Sequence, residues 1–162
     1  MSTGFEVQVR TVEVYSAPAQ SLIRRLCDEL AVMYDTPSEE VEWYFREIKP
    51  VERGVFAVAF SEGEPIGCGA IRPYIEDAQV AEVKRVYVEP LWRKRGVARL
   101  VMLALEVEAQ NLGYRKMQLE TGNIQVAAIR LYESLGYQHC TCFGHYANDP
   151  LSVCFEKSLP TE

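Results

Sequence analysis

The chain has 162 residues, of which 48% are hydrophobic and 25% are charged, and its formal net charge is −6. This composition is typical of a globular protein large enough to bury a core, so we expect residues 1–162 to form a single domain. The acidic balance argues against a nucleic-acid partner. There is no basic and apolar leader pattern and no run of about 18 apolar residues, so we expect a cytoplasmic protein with no membrane partner.

The first half of the chain predicts a strand, two helices and a hairpin. Residues 5–14 alternate between apolar and polar, and Pro18 then opens a stretch with leucines at helical spacing. A second helix is predicted with Ser38 as its N-cap and an end at residues 49–50, and its Trp43 and Tyr44 are expected to face the core. Residues 54–60 and 66–74 are apolar runs separated by turn-forming residues, which predicts an antiparallel hairpin.

The second half predicts strands that alternate with two helices. Strands are expected at 77–88, 114–120, 137–142 and 151–156, with a loop over residues 143–150. A helix over 97–112 carries apolar residues almost all round, which favours deep packing against a sheet, and a helix over 124–135 ends at Gly136. The strand, helix, strand order in the middle is a βαβ unit, whereas both ends are antiparallel. We therefore predict an α+β fold with a mixed, mostly antiparallel sheet flanked by helices.

Five cysteines are present, and they lie mostly in apolar, strand-like segments. Their odd number and setting predict reduced thiols and not a disulfide framework. The spacing of Cys140 and Cys142, with His139 and His145 nearby, is not that of a zinc site, so no metal is expected. The five are Cys27, Cys68, Cys140, Cys142 and Cys154.

A basic turn precedes the helix predicted at residue 97. The sequence there is Arg93-Lys94-Arg95-Gly96-Val97-Ala98, with no N-cap Ser, Thr, Asp or Asn. A helix N-terminus presents unpaired N–H groups and a partial positive charge, so cations are unfavourable unless an anion binds there. Gly96 and Ala98 would let phosphate oxygens approach the backbone. This predicts a phosphate or pyrophosphate site, and the alternative is a solvated basic turn.

Neither a Walker lysine motif nor a dinucleotide-binding glycine motif is present. The pattern R-x-x-G-x-A at Arg93, Gly96 and Ala98, followed by the segment from Leu131 to Tyr137 that includes Tyr132, resembles the GNAT superfamily of N-acetyltransferases. The resemblance covers nearly the whole chain. It implies acetyl-CoA as donor, with the pyrophosphate on the basic turn and the pantetheine arm along the preceding strand. The implied contacts are Val86, Tyr87, Val88, Arg93, Lys94, Arg95, Gly96, Val97, Ala98 and Arg99, with either Asn123 or Gln125.

Two side chains are candidates for proton transfer. An alkyl amine with a pKa of about 10.4 must lose a proton before it attacks, and the resemblance places Glu82 where relatives have a base. The alternative is a glutamate paired with Lys84 or Arg85, and Glu120 is the reserve base. Tyr132 matches the tyrosine that the family places beside the departing sulfur, with a packing role as its alternative. The N–H of Val88 is the candidate that stabilises the oxyanion.

The acceptor is predicted to be an amine on a small molecule or peptide. The predicted acceptor contacts are Lys84, Glu120, Phe143 and Tyr146. Phe143 and Tyr146 lie in the loop over residues 143–150, which should cover the acceptor side, and simple packing is their alternative role. Cations beside Glu82 suggest an acceptor that also carries a carboxylate. An exposed edge strand near the C-terminus favours a homodimer. A CoA-binding module without catalysis is the alternative function.

Overall fold

The computed structural model describes residues 6–160, in which seven strands form one sheet and four α-helices cover it. The strand predicted from residue 5 therefore starts at a position outside the described residues. In chain order the elements are β1 (Gln8–Val12), α1 (Ala17–Met33), α2 (Ser38–Arg46), β2 (Val55–Ser61), β3 (Glu64–Tyr74), β4 (Asp77–Val88), α3 (Val97–Asn111), β5 (Lys116–Gly122), α4 (Val126–Ser134), β6 (Gln138–Cys140) and β7 (Ser152–Ser158).

The strand order is β1-β2-β3-β4-β5-β7-β6, and only the β4–β5 pair is parallel. Helix α3 connects those two strands, so the predicted βαβ unit and the mixed, mostly antiparallel sheet are confirmed. The edge strand predicted near the C-terminus is β6, which has three residues. Within the described residues, no helix is long and apolar enough to cross a membrane.

Two hydrophobic clusters lie on opposite faces of the sheet. The larger one packs α3 and α4 against the sheet, and the smaller one packs α1 and α2 against β2 and β3. Close packing of α3 depends on Gly69 of β3, because a Cβ there would lie 2.8 Å from Cγ1 of Val101 and 3.0 Å from Cδ1 of Leu105. Gly69 thus determines how closely α3 approaches the sheet, and with it the position of the turn before α3.

Two predictions about helices were wrong. Trp43 is 58% exposed, because α2 lies at the margin of its layer and only Val41 of that helix is buried. Ser38 is the first helical residue and Pro37 occupies the N-cap position, so the predicted cap is absent. The predicted deep packing of α3 against the sheet is confirmed by its five buried residues, while among the described residues its opposite side is uncovered. Its exposed residues include Leu100, Leu103 and Val107.

The prediction of five free thiols was also wrong, because Cys142 and Cys154 form a disulfide. Pairing of β6 with β7 places Cys140 opposite Cys154, and the chain then turns so that the Cα atoms of Cys142 and Cys154 are 5.1 Å apart. That separation lies within the range a disulfide requires. Cys27, Cys68 and Cys140 remain free thiols.

Candidate active site

Strands β4 and β5 separate at their carboxyl ends. Their parallel pairing covers three residue pairs and stops at Glu82 and Gln118, although β4 continues to Val88 and β5 to Gly122. The N–H of Glu89 donates to the carbonyl of Ile66 on the β3 side (2.8 Å), so the alternation of an antiparallel pair directs the N–H of Val88 away from β3. A backbone donor therefore faces the gap between β4 and β5.

The basic turn before α3 has a backbone that suits an anion. Lys94 and Gly96 have φ values of 64° and 80°, which are left-handed conformations, and α3 begins at Val97 without a side-chain cap. The first helical hydrogen bond runs from Leu100 N–H to the carbonyl of Gly96 (3.1 Å), so the preceding N–H groups have no partner inside the helix. A Cβ on Gly96 would meet no atom within 4 Å. The N–H groups of this turn are therefore accessible to phosphate oxygens.

The side chain of Arg93 has a structural role in this turn. Its Nε donates to the carbonyl of Val88 (2.9 Å) and its Nη2 donates to Oε2 of Glu29 (2.5 Å). These contacts hold the turn against the end of β4 and against α1. They compete with the predicted contact between the Arg93 guanidinium and a phosphate.

The cations that follow Arg93, in the turn and in the first residues of α3, make other contacts. The guanidinium of Arg95 lies 5.3 Å from the ring centre of Trp92, and Nη2 of Arg99 donates to Oγ of Ser134 in α4 (2.7 Å). Lys94 is exposed. The backbone of the turn, more than the arginine side chains, is thus oriented to receive an anion.

Glu82 is buried on the α1/α2 face of β4, beside the gap. Its Oε1 accepts from Nε and Nη2 of Arg72 (3.2 and 2.9 Å) and lies 3.4 Å from Nζ of Lys84. The ion pair between Glu82 and Lys84, which was the alternative to Glu82 as a base, is therefore present. Arg72 was not predicted, although its register partner in β4 is Glu82 itself.

The loop between β6 and β7 approaches this carboxylate through the contact of Tyr146 with Lys84. Nζ of Lys84 donates to the hydroxyl of Tyr146 (2.7 Å), and the Tyr146 and Phe143 rings meet edge to face at 5.8 Å. Burial raises the pKa of Tyr146 to about 12 and lowers the pKa of Lys84 from its usual 10.5, although Glu82 acts in the opposite direction on Lys84. Glu120 accepts a hydrogen bond from Oγ of Ser152 (2.8 Å).

Tyr132 lies on the opposite face of the sheet from Glu82. Its ring is buried in the α3/α4 cluster, 5.9 Å from the ring centres of both Tyr137 and Phe155. Burial alone raises the pKa of its phenol far above the usual value, so the hydroxyl stays protonated. The two candidate proton-transfer groups therefore lie on opposite sides of the sheet that contains the gap.

The two candidate amides after β5 differ in their surroundings. Nε2 of Gln125 donates to the hydroxyl of Tyr34 at the end of α1 (3.1 Å), whereas Asn123 is exposed and its backbone N–H donates to the carbonyl of Leu151 (2.8 Å). The side chain of Gln125 thus connects α4 to α1. This contact competes with a role for Gln125 toward the cofactor.

A buried amide next to Glu82 was missed. Gln118 is the β5 partner of Glu82, and among the described residues its Nε2 is buried without a hydrogen-bond partner. The sequence signal for Gln118 was a polar residue between two apolar ones, Met117 and Leu119. In the structure both of these neighbours are fully buried. Buried polar groups normally have partners, so this donor marks the base of the gap as a place where a polar ligand atom would be favourable.

The comparison with known proteins identifies the family. Residues 20–137 match the Acetyltransferase (GNAT) family. The protein belongs to this family. An IAA acetyltransferase of Azospirillum brasilense is 35% identical over 147 residues, which covers 88% of this chain and 94% of the relative.

Solved structures extend the similarity to the whole GNAT fold. A Klebsiella pneumoniae protein assigned as an acyl-CoA N-acyltransferase has a TM-score of 0.79 and 31% identity, and the match covers 96% of this chain and 99% of that chain. The PaiA N-acetyltransferase of Thermoplasma acidophilum, solved in complex with coenzyme A, has a TM-score of 0.73 at 17% identity, over 94% of this chain and 99% of that chain. The protein is thus a GNAT enzyme, and GNAT enzymes use acetyl-CoA.

Proposed function

We propose that the protein transfers the acetyl group of acetyl-CoA to a primary amine of a small molecule or peptide, by direct attack and without an acetylated enzyme. The observation that carries the proposal is the gap between β4 and β5, with the open turn before α3 at one end and Glu82 beside it. Cys142 is a disulfide partner in this fold, so it offers no thiolate for a covalent acetyl intermediate.

The residues around the gap suit the donor. The unpaired N–H groups between Lys94 and Ala98 would hold the pyrophosphate. The edge of β4 from Val86 to Val88, which β5 does not pair, would form hydrogen bonds with the amides of the pantetheine arm. Acetyl-CoA supplies an activated acetyl group as a thioester. The N–H of Val88, directed into the gap, is placed to stabilise negative charge on the carbonyl oxygen.

Glu82 takes the proton that the amine must lose. The amine nitrogen forms a bond to the acetyl carbon, the carbon–sulfur bond breaks, and the ammonium proton passes to the Glu82 carboxylate directly or through water. Arg72 and Lys84 both contact Oε1 of that carboxylate, so they fix its orientation. Lys84 is held in turn by Tyr146, which links the loop over the site to the position of the base.

Tyr132 donates a hydrogen bond to the departing sulfur from the other face. Complete proton transfer from a phenol of pKa about 10 to a thiolate of about 8.5 is uphill by about 2 kcal/mol, and burial raises that cost further. A hydrogen bond that strengthens as charge develops on sulfur is therefore the favoured role. It stabilises the leaving group without moving the proton before the bond breaks.

The test is a thiol-release assay with acetyl-CoA and a panel of primary amines. Tyr132→Phe and Glu82→Gln are compared with Tyr15→Phe and Glu40→Gln, which alter exposed residues of the same type away from the gap. We expect turnover in the native chain and both controls, and a loss of about 10- to 1,000-fold in the two site variants. Tight coenzyme A binding without turnover of any amine would instead support a non-catalytic CoA-binding module.

A further inference from the structure

A cavity of about 590 Å³ lies beside the segment that follows α2. Its walls are that segment, the end of β1, parts of β2 to β4 and Glu108 of α3. Glu82 does not line the cavity, but Arg72 and Lys84 do, and both contact its carboxylate, so these two side chains lie between the cavity and the candidate base. A cavity of this size accommodates a small molecule.

A bulge in β4 places two consecutive cations on this cavity. Cys68 is paired with Tyr87 and Ala70 with Lys84, so β4 has one residue more than β3 over this stretch, and Arg85 has a φ of 61°. Regular alternation would direct Arg85 to the face opposite Lys84. Instead both line the cavity, and Sγ of Cys68 donates to the carbonyl of Arg85 (3.3 Å), which supports the bulge.

Arg85 carries a charge that the fold leaves unneutralised. Its guanidinium donates to the hydroxyl of Tyr44 and stacks on that ring at 4.4 Å from the centre, and among the described residues no carboxylate is paired with it. Arg72, Lys84 and Arg85 provide three positive charges against the single carboxylate of Glu82. The end of the cavity nearest the base is therefore positive. The charged residues that line the rest of the cavity are Glu13, Glu47, Lys49 and Glu108.

We propose that the acceptor carries a carboxylate as well as its amine, and that Arg85 binds this carboxylate while the amine reaches Glu82. The inference rests on the proposed function. A guanidinium held flat by Tyr44 presents its N–H groups to a carboxylate in fixed geometry. The same positive charge disfavours acceptors that would place a further cation at this end of the cavity. Amino acids and compounds like them are the acceptor class.

The experiment compares acceptors that differ only in the carboxylate. Each amino acid of a panel is assayed with its amide and its decarboxylated amine, and spermidine is added as a polycation. Native chain is compared with Arg85→Gln and with Arg130→Gln, which removes an exposed cation from α4. For the acids, Arg85→Gln should raise the acceptor KM about 10- to 100-fold. Its kcat, the KM for acetyl-CoA and the rates with amides should change little.

A second variant guards against misfolding at the bulge. Arg85→Gly removes the cation but favours the left-handed backbone that position 85 adopts, so this variant should fold at least as well as the native chain. It too should lose the preference for acids over amides. Equal use of acids and amides by the native chain, or an unchanged preference in both variants, would overturn the proposal.

Failure of the proposed function gives a different result. If no acceptor is acetylated, calorimetric titration of the coenzyme A-bound protein with the same acids and amides still measures the carboxylate preference. Tighter binding of acids that Arg85→Gly abolishes would support the carboxylate site and contradict the enzyme. Acetylation of amines with no carboxylate preference would support the enzyme and contradict the site.

Discussion

Replacement of Gly96 by alanine tests whether the turn before α3 binds the pyrophosphate. Gly96 has a φ of 80°, and a Cβ built on it would meet no atom within 4 Å. The substitution therefore creates no steric clash. Its cost is the left-handed conformation alone, which is about 1–2 kcal/mol for a residue with a Cβ.

Gly63 in the turn between β2 and β3 is a matched control. It also has a φ of 80° and no atom within 4 Å of its Cβ position, but it lies in a separate turn, away from α3. Both alanine variants should therefore lose about 1–2 kcal/mol in the free energy of unfolding. For a domain of this size each kcal/mol lowers the Tm by about 2–4 °C. Urea and thermal unfolding of the ligand-free proteins measure these losses.

Only Gly96→Ala should weaken coenzyme A binding. In that variant the turn keeps its left-handed conformation, and the added Cβ takes up the open space through which phosphate oxygens would approach the N–H groups. Weakening one hydrogen bond to a charged phosphate by about 1–2 kcal/mol corresponds to a Kd about 5- to 30-fold higher. Calorimetric titration with coenzyme A measures the Kd of all three proteins. Equal Kd values, or the same weakening in Gly63→Ala, would refute the assignment of the pyrophosphate to this turn.

Further predictions concern packing, the disulfide and pH. Gly69→Ala should lower the free energy of unfolding by about 1–3 kcal/mol, because its Cβ would lie 2.8 Å from Val101; an unchanged urea midpoint would contradict the close approach of α3. Cys142→Ser opens a loop of 12 residues and should lower the free energy of unfolding by about 3 kcal/mol. Thiol titration of the denatured, unreduced native chain should count three thiols, and a count of five would exclude the disulfide. Burial raises the pKa of the Tyr132 hydroxyl, so as the pH rises the unfolded chain loses this proton before the folded chain does. The free energy of unfolding should therefore fall as the pH rises above about 10, and it should fall less steeply in Tyr132→Phe. Urea unfolding of both proteins at about pH 8 and about pH 11 measures this difference.

The sequence alone determined the order of the elements and marked the basic turn before α3, to which we assign the pyrophosphate. Periodic apolar residues mark helices and strands through their local spacing, and the strand, turn, helix arrangement around Gly96 depends on residues adjacent in the chain. The predicted strand 77–88 is Asp77–Val88 in the structure, and the predicted loop over residues 143–150 lies between β6 and β7. Local patterns were sufficient for these features because each is encoded within one or two elements.

The acceptor side was decided by tertiary structure. Arg72 reaches Glu82 through the register of β3 with β4, and Arg85 faces the cavity because a bulge interrupts the alternation of β4. Cys142 meets Cys154 only after β6 has paired with β7. The alternation of side chains along a strand can be predicted only if the strand is regular. Local periodicity in the sequence shows neither the register of two paired strands nor the position of a bulge. The cations at positions 84 and 85 could therefore be read from the sequence, whereas their placement on one cavity emerges only when distant strands are aligned.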